Sequence, residues 1–175
     1  MKKPLLIISF LILFTSCDYL TYDPPEDQPV YFEYEYINYA WGYQHNGWII
    51  DRDGNVCAWD RAEDWRKPDS TGYIGAADLE FNISLTDSVV AVVDSAELMD
   101  HVEMISGAKN GYITEPRNSA YDAGSSTFYA YYYDEEAHAY LKIFLGSSGD
   151  FSSANTSDEA RRLVSWLREF GAFWL

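Results

Sequence analysis

Residues 127–145, TFYAYYYDEEAHAYLKIFL, restrict the fold more than any other stretch of the chain. Two apolar and aromatic runs flank a polar turn, Asp134-Glu135-Glu136-Ala137, which predicts a β-hairpin. With Tyr133 opposite His138, one face pairs Phe128 with Ile143, Ala130 with Leu141 and Tyr132 with Ala139. The other face pairs Tyr129 with Lys142, Tyr131 with Tyr140 and Tyr133 with His138. A strand pair that is apolar or aromatic on both faces belongs in the middle of a sheet, covered on one side and at least partly on the other. Yet the second face carries phenol hydroxyls, Lys142 and His138, which are costly in a dry interior. Two arrangements meet this conflict. Part of the face stays open as a ligand surface, or the C-terminal helix lies across it and the hydroxyls reach its edge.

The other elements follow from periodicity. Phe32, Tyr34 and Tyr36 alternate with Glu33, Glu35 and Ile37, a strand with an aromatic face and a mostly wet one. Trp48-Ile49-Ile50 and Val56-Cys57-Ala58-Trp59 flank Asp51-Arg52-Asp53-Gly54-Asn55, a hairpin whose Gly54 takes positive φ. Ala77, Leu79, Phe81, Ile83 and Leu85 alternate with polar residues and predict another half-buried strand. Val89–Val93 is an apolar run that fits a buried strand or an extension of the next element. Asp94 and Glu97 have capping-box spacing for a helix with Leu98, Val102 and Ile105 on one stripe and Gly107 as its stop. A final helix is predicted over about 157–170, started by Thr156 and Glu159 and closed by Gly171. Its stripe is Ala160, Leu163, Val164, Leu167 and Phe170. The class is α+β: an antiparallel sheet of about five strands with two amphipathic helices packed on it, in a single domain spanning residues 30–175.

The N-terminus reads as an address. Met1-Lys2-Lys3 is a positive n-region, Leu5–Phe14 is an apolar run too short to span a membrane, and Thr15-Ser16-Cys17 follows. This segment resembles the lipobox signal of bacterial lipoproteins of the Bacteroidota type, with Phe14 where leucine is usual. The resemblance implies a signal peptide over residues 1–17, lipidation of Cys17 after cleavage, and attachment to the membrane through that lipid in the cell envelope, at the outer membrane, with its periplasmic or surface face left open. Asp18–Pro29 is rich in proline and acid and reads as an extended tether. Loss of Lys2 and Lys3 leaves 10 basic residues against 28 acidic ones, net −18. Such a body is repelled by anionic headgroups, so the lipid must supply the attachment.

The same charge excludes nucleic acid as a partner. At 47% apolar and 17% aromatic the chain is equally far from a disordered composition. Asp51-Arg52-Asp53-Gly54 departs from a calcium loop in having Gly fourth and Ala62 at position 12. The three histidines, His45, His101 and His138, lack the spacing of zinc ligands, so no metal and no cofactor is expected. His45, in a loop before a strand, is the one histidine to test. Cys57, left without a partner once Cys17 is lipidated, reads as a buried, inert thiol. Asp69-Ser70-Thr71, Asp87-Ser88-Val89 and Asp94-Ser95-Ala96 resemble the O-glycosylation motif of Bacteroidota envelope proteins.

Aromatics are the remaining lead. Tyr129, Tyr131, Tyr140, Trp41, Tyr43 and Trp48 are candidates for a stacking platform of the kind carbohydrate-binding modules use. The expectation is a lipid-anchored binding or assembly module for a glycan or a partner protein. The alternative is a small envelope hydrolase acting on cell-wall or polysaccharide material.

Overall fold

The structure is a computed structural model that describes residues 22–61 and 63–174. Cys17, the signal segment, tether residues 18–21 and Ala62 lie outside the described residues.

A nine-stranded antiparallel sheet forms the centre. Its strands are β1 (Val30–Asn38), β2 (Gln44–Asp51), β3 (Asn55–Asp60), β4 (Tyr73–Ile74), β5 (Ser88–Val92), β6 (Arg117–Asn118), β7 (Ser125–Asp134), β8 (Ala139–Gly149) and β9 (Phe151–Ala154). The order is β5-β3-β2-β1-β7-β8-β9-β6, with β4 pairing on β8 as well. The expected five strands fall short because β4, β6 and β9 are only two to four residues long and show no period.

The helices are α1 (Ala76–Ser84), α2 (Ser95–Val102), α3 (Ile105–Lys109) and α4 (Asp158–Leu167), followed by a 3-10 helix over Arg168–Trp174. The class is α+β. Helices α2, α3 and α4 bury Leu98, Val102, Ile105, Leu163 and Leu167 against Phe32, Trp48, Phe128, Ala130 and Ile143 of the sheet. The opposite sheet face carries Val30, Ile49, Trp59, Tyr131 and Tyr140, covered by Leu79 of α1 together with Trp65 and Ile74. Gly47 leaves room for this second layer: a Cβ there would run into the Trp59 indole and the Tyr34 carbonyl.

Several expectations are corrected here. Residues 77–85 are helical. Only Leu79 and Asn82 of α1 are buried, a helical spacing, and the alternation of larger residues is incidental to it. Asn82 accepts from Arg66 N at 2.8 Å and donates to Arg66 O at 2.9 Å, tying the preceding loop to the helix. The helix begun by Asp94 breaks after Val102 and resumes as α3, with Gly107 inside it. Asp94 caps α2 by accepting from Ala96 N, while Glu97 accepts from Trp166 Nε1 at 2.7 Å. Ser157 rather than Thr156 caps α4. The apolar run after Asp87 is the edge strand β5, where Val89 and Val92 remain exposed.

The segment expected to be a free tether is docked where it is described. Gln28 is fully buried and donates through Nε2 to Val30 O and Tyr131 O, each at 2.9 Å. Tyr22 donates to Gln28 Oε1 at 2.6 Å, accepts from Tyr133 N at 2.7 Å and stacks on Tyr132.

Candidate functional site

The six aromatic candidates divide sharply. Trp48 is fully buried on the helix-covered face, stacked with Tyr34 and meeting Phe170 edge to face. Tyr131 and Tyr140 are buried under α1 and Trp65. These three present no ring to a ligand. Tyr129 is half-buried beneath Lys142, whose ammonium lies 4.0 Å from the ring centre. The cover on this face comes from α1 and the loop before it, whereas α4 packs on the opposite face with Phe128 and Ile143.

Trp41 and Tyr43 stand in the loop between β1 and β2, joined by Tyr39, which the sequence reading passed over. Their exposures are 76% for Trp41, 74% for Tyr39 and 52% for Tyr43. Tyr39 and Tyr43 lie 5.4 Å apart between ring centres. The loop is short and pinned at both ends. Asn38 accepts from Ala40 N at 2.8 Å and donates to Tyr36 OH at 2.9 Å, and Gly42 takes φ +93°. His45 is buried with its ring edge on Trp59. Its Nε2 faces Glu35 Oε1 at 2.8 Å, so in the neutral ring Nδ1 accepts from Tyr43 OH at 3.0 Å. The histidine thus orients a phenol at the base of the loop.

A groove of about 480 Å³ is lined by Tyr36, Gln44, Asn46, Asp60, Arg61 and Ser126 among others. The Gln44 and Asn46 side-chain amides have no protein partner among the described residues. None of the three exposed rings lines this groove; exposed aromatic rings and free amides are groups of the kind that stack on sugar rings and bond hydroxyls.

The titratable groups with the strongest shifts lie inside the fold. Burial raises the hydroxyls of Tyr22, Tyr129 and Tyr131, and pushes Tyr140 up to about 12. Burial, with Asp51 beside it, pushes the Cys57 thiol up to about 11. Asp51 spends its carboxylate on the β2–β3 turn, accepting from the backbone amides of Asp53 and Asn55 and from the Asn55 side chain. Ser70, Ser88 and Ser95 are all exposed. No helix among the described residues is long and apolar enough to cross a membrane.

These tyrosines set the alkaline limit of the fold. Because folding raises their pKa values, it favours the protonated phenols. The resulting stability is fully present below the unfolded value of about 10 and is lost as pH rises through the folded values. Urea unfolding should give constant stability from pH 7 to about 8, a shallow decline above that from the raised Cys57 thiol, and a steep fall above about 10.5 as the tyrosines join it. Undiminished stability at pH 11.5, on this scale of about 10 for an unfolded tyrosine, contradicts this account.

No protein-family model matches the chain, and neither the curated proteins nor the solved structures compared contain a significant match.

Proposed function

We propose that this chain is a lipid-anchored cell-envelope protein of the outer membrane, held by Cys17, that grips a glycan through the loop between β1 and β2. The observation that carries the reading is the exposure of Tyr39, Trp41 and Tyr43 together on one pinned loop. Large rings at such exposure gain nothing for the fold, while each offers a flat apolar face to a sugar ring. Gln44, which follows Tyr43 directly in the chain, carries a side-chain amide without a protein partner among the described residues and is the nearest such group to the rings in sequence. The anchor is supported by the lipobox resemblance at Thr15-Ser16-Cys17 and by an acidic body that has no affinity of its own for anionic headgroups.

The test uses the full-length chain in detergent. Affinity gel electrophoresis against a panel of soluble polysaccharides should show retardation by at least one of them. Trp41→Ala should remove most of that retardation while leaving the melting temperature unchanged, because the ring is outside the core. Retardation that survives Trp41→Ala and Tyr43→Ala together, or no retardation by any polysaccharide, overturns the platform. Cells fed tritiated palmitate should label the natural chain and leave Cys17→Ala unlabelled; label on the variant overturns the anchor.

A further inference from the structure

Acidic residues outnumber basic ones 28 to 12, yet one groove of this protein is lined by three arginines and no carboxylate. It encloses about 570 Å³ between the β8–β9 hairpin, α4 and the segment that carries β6. Arg161 and Ser165 on α4 and Arg168 at its C-cap recur at helical positions i, i+4 and i+7, so they form one exposed stripe beside the buried one. Arg117, on β6, adds the third guanidinium.

The arginines are not equally free. Arg161 pairs with Asp158 and donates to Thr156 O at 3.2 Å. Arg117 and Arg168 make no ion pair and no side-chain hydrogen bond among the described residues. Two guanidiniums left open on one groove are available to an anionic group. The Ser147, Ser148 and Ser165 hydroxyls, also at the groove, have no protein partner among the described residues either. The floor is apolar, formed by Phe128, Leu145 and Val164.

We infer that this groove is a second binding site, separate from the loop platform, for a short saccharide carrying a uronic acid whose carboxylate is held by Arg117 and Arg168. The guanidinium fork matches a planar carboxylate with two parallel hydrogen bonds. The serine hydroxyls both donate and accept, as sugar hydroxyls require. The floor accommodates the apolar face of a pyranose ring. Length is limited by the rest of the molecule: a long polyanion meets a net charge of −16, whereas one or two carboxylates at the groove meet arginine first.

Isothermal titration of the full-length chain in detergent separates the possibilities, with digalacturonic acid as the probe and the neutral disaccharide galactobiose, inorganic phosphate and inorganic sulfate as controls. Digalacturonic acid should bind, more weakly as sodium chloride is raised. Arg117→Gln combined with Arg168→Gln should weaken it by roughly tenfold or more, the effect of losing charge-assisted hydrogen bonds. Ser165→Glu, which puts a negative charge on the same stripe, should weaken it as well. Each altered residue is solvent-exposed, so melting temperatures should be unchanged. Trp41→Ala should leave this binding intact, which distinguishes failure here from failure of the platform. The inference is overturned if digalacturonic acid does not bind with a Kd below about 10 mM, if galactobiose or inorganic phosphate or sulfate binds as tightly, or if either the double arginine variant or Ser165→Glu binds like the natural chain.

Discussion

Tyr131→Ala should lower the unfolding free energy by about 3–5 kcal/mol, the usual cost of truncating a buried aromatic. At roughly 2–4 °C per kcal/mol for a chain of this size, the melting temperature falls by about 6–20 °C. The ring is 1% exposed and packs in the layer formed by Trp65, Ile74, Leu79 and Tyr140. Its hydroxyl donates to Glu33 on the neighbouring strand β1. Tyr131→Phe separates the two contributions. It keeps the ring and removes one donor from a buried carboxylate, a loss of about 1–3 kcal/mol. Thermal unfolding followed by circular dichroism measures both variants. A shift under about 2 °C for the alanine variant, less than one kcal/mol on that scale, contradicts the burial described.

Lys142→Met should be comparably damaging for a different reason. Glu33 is fully buried, and Lys142 Nζ lies 2.9 Å from the same Oε2 that accepts from Tyr131. The other oxygen, Oε1, has no hydrogen-bond partner among the described residues. Removing the ammonium leaves a buried carboxylate with no cation, at a cost of about 3–5 kcal/mol. The methionine replaces the aliphatic stem, so little of this comes from lost packing. Combining Lys142→Met with Glu33→Gln should recover much of the loss. Glutamine carries no charge, and its carbonyl oxygen still accepts from Tyr131. Urea unfolding at pH 7 of the single and double variants measures the difference. A single variant as stable as the natural chain rules out the pairing.

The sheet face that holds this pair shows where sequence reasoning reached and where it stopped. Alternation placed Tyr129, Tyr131 and Tyr140 on one face and Phe128, Ala130 and Ile143 on the other, as found. The expected hairpin register was off by two residues, since Tyr133 pairs with Tyr140 and Asp134 with Ala139. Asp134 sets that register. Its Oδ1 accepts from the backbone amides of Glu136 and Ala137, so the turn starts one residue later than the polar run suggested. A slip of two residues preserves the faces, which is why the pattern survived the error.

What covers each face was not legible, because amphipathic stripes on α1 and α4 carry no mark of which side of a sheet they meet. The acidic side of β1 read as wet because Glu33 lies 98 residues from Tyr131 and 109 from Lys142, and a pairing across that separation leaves no local signature. The same holds for the proposed sites. Trp41 and Tyr43 stood out by type. The β1–β2 loop gave no reason to include Tyr39, and Arg117 meets Arg161 and Arg168 at one groove only through the fold.

The docking of Tyr22 and Gln28 has a mechanical consequence for an anchored protein. Both attach at the end of the sheet where β1 begins, beside Tyr131 and Tyr133. With a lipid on Cys17, the leash to Tyr22 is five residues, a reach of no more than about 17 Å. On the proposed anchor, that end of the body would be held close to the bilayer. β1 then runs outward for nine residues, about 30 Å, before it delivers the aromatic loop. The serine-rich half of the β7–β8 ladder lies toward that same distal pole, since Ser125 pairs with Ile37 and Gly149. Both proposed sites would thus be presented away from the lipid surface, meeting ligands that approach from the aqueous side rather than ones lying in the headgroup layer.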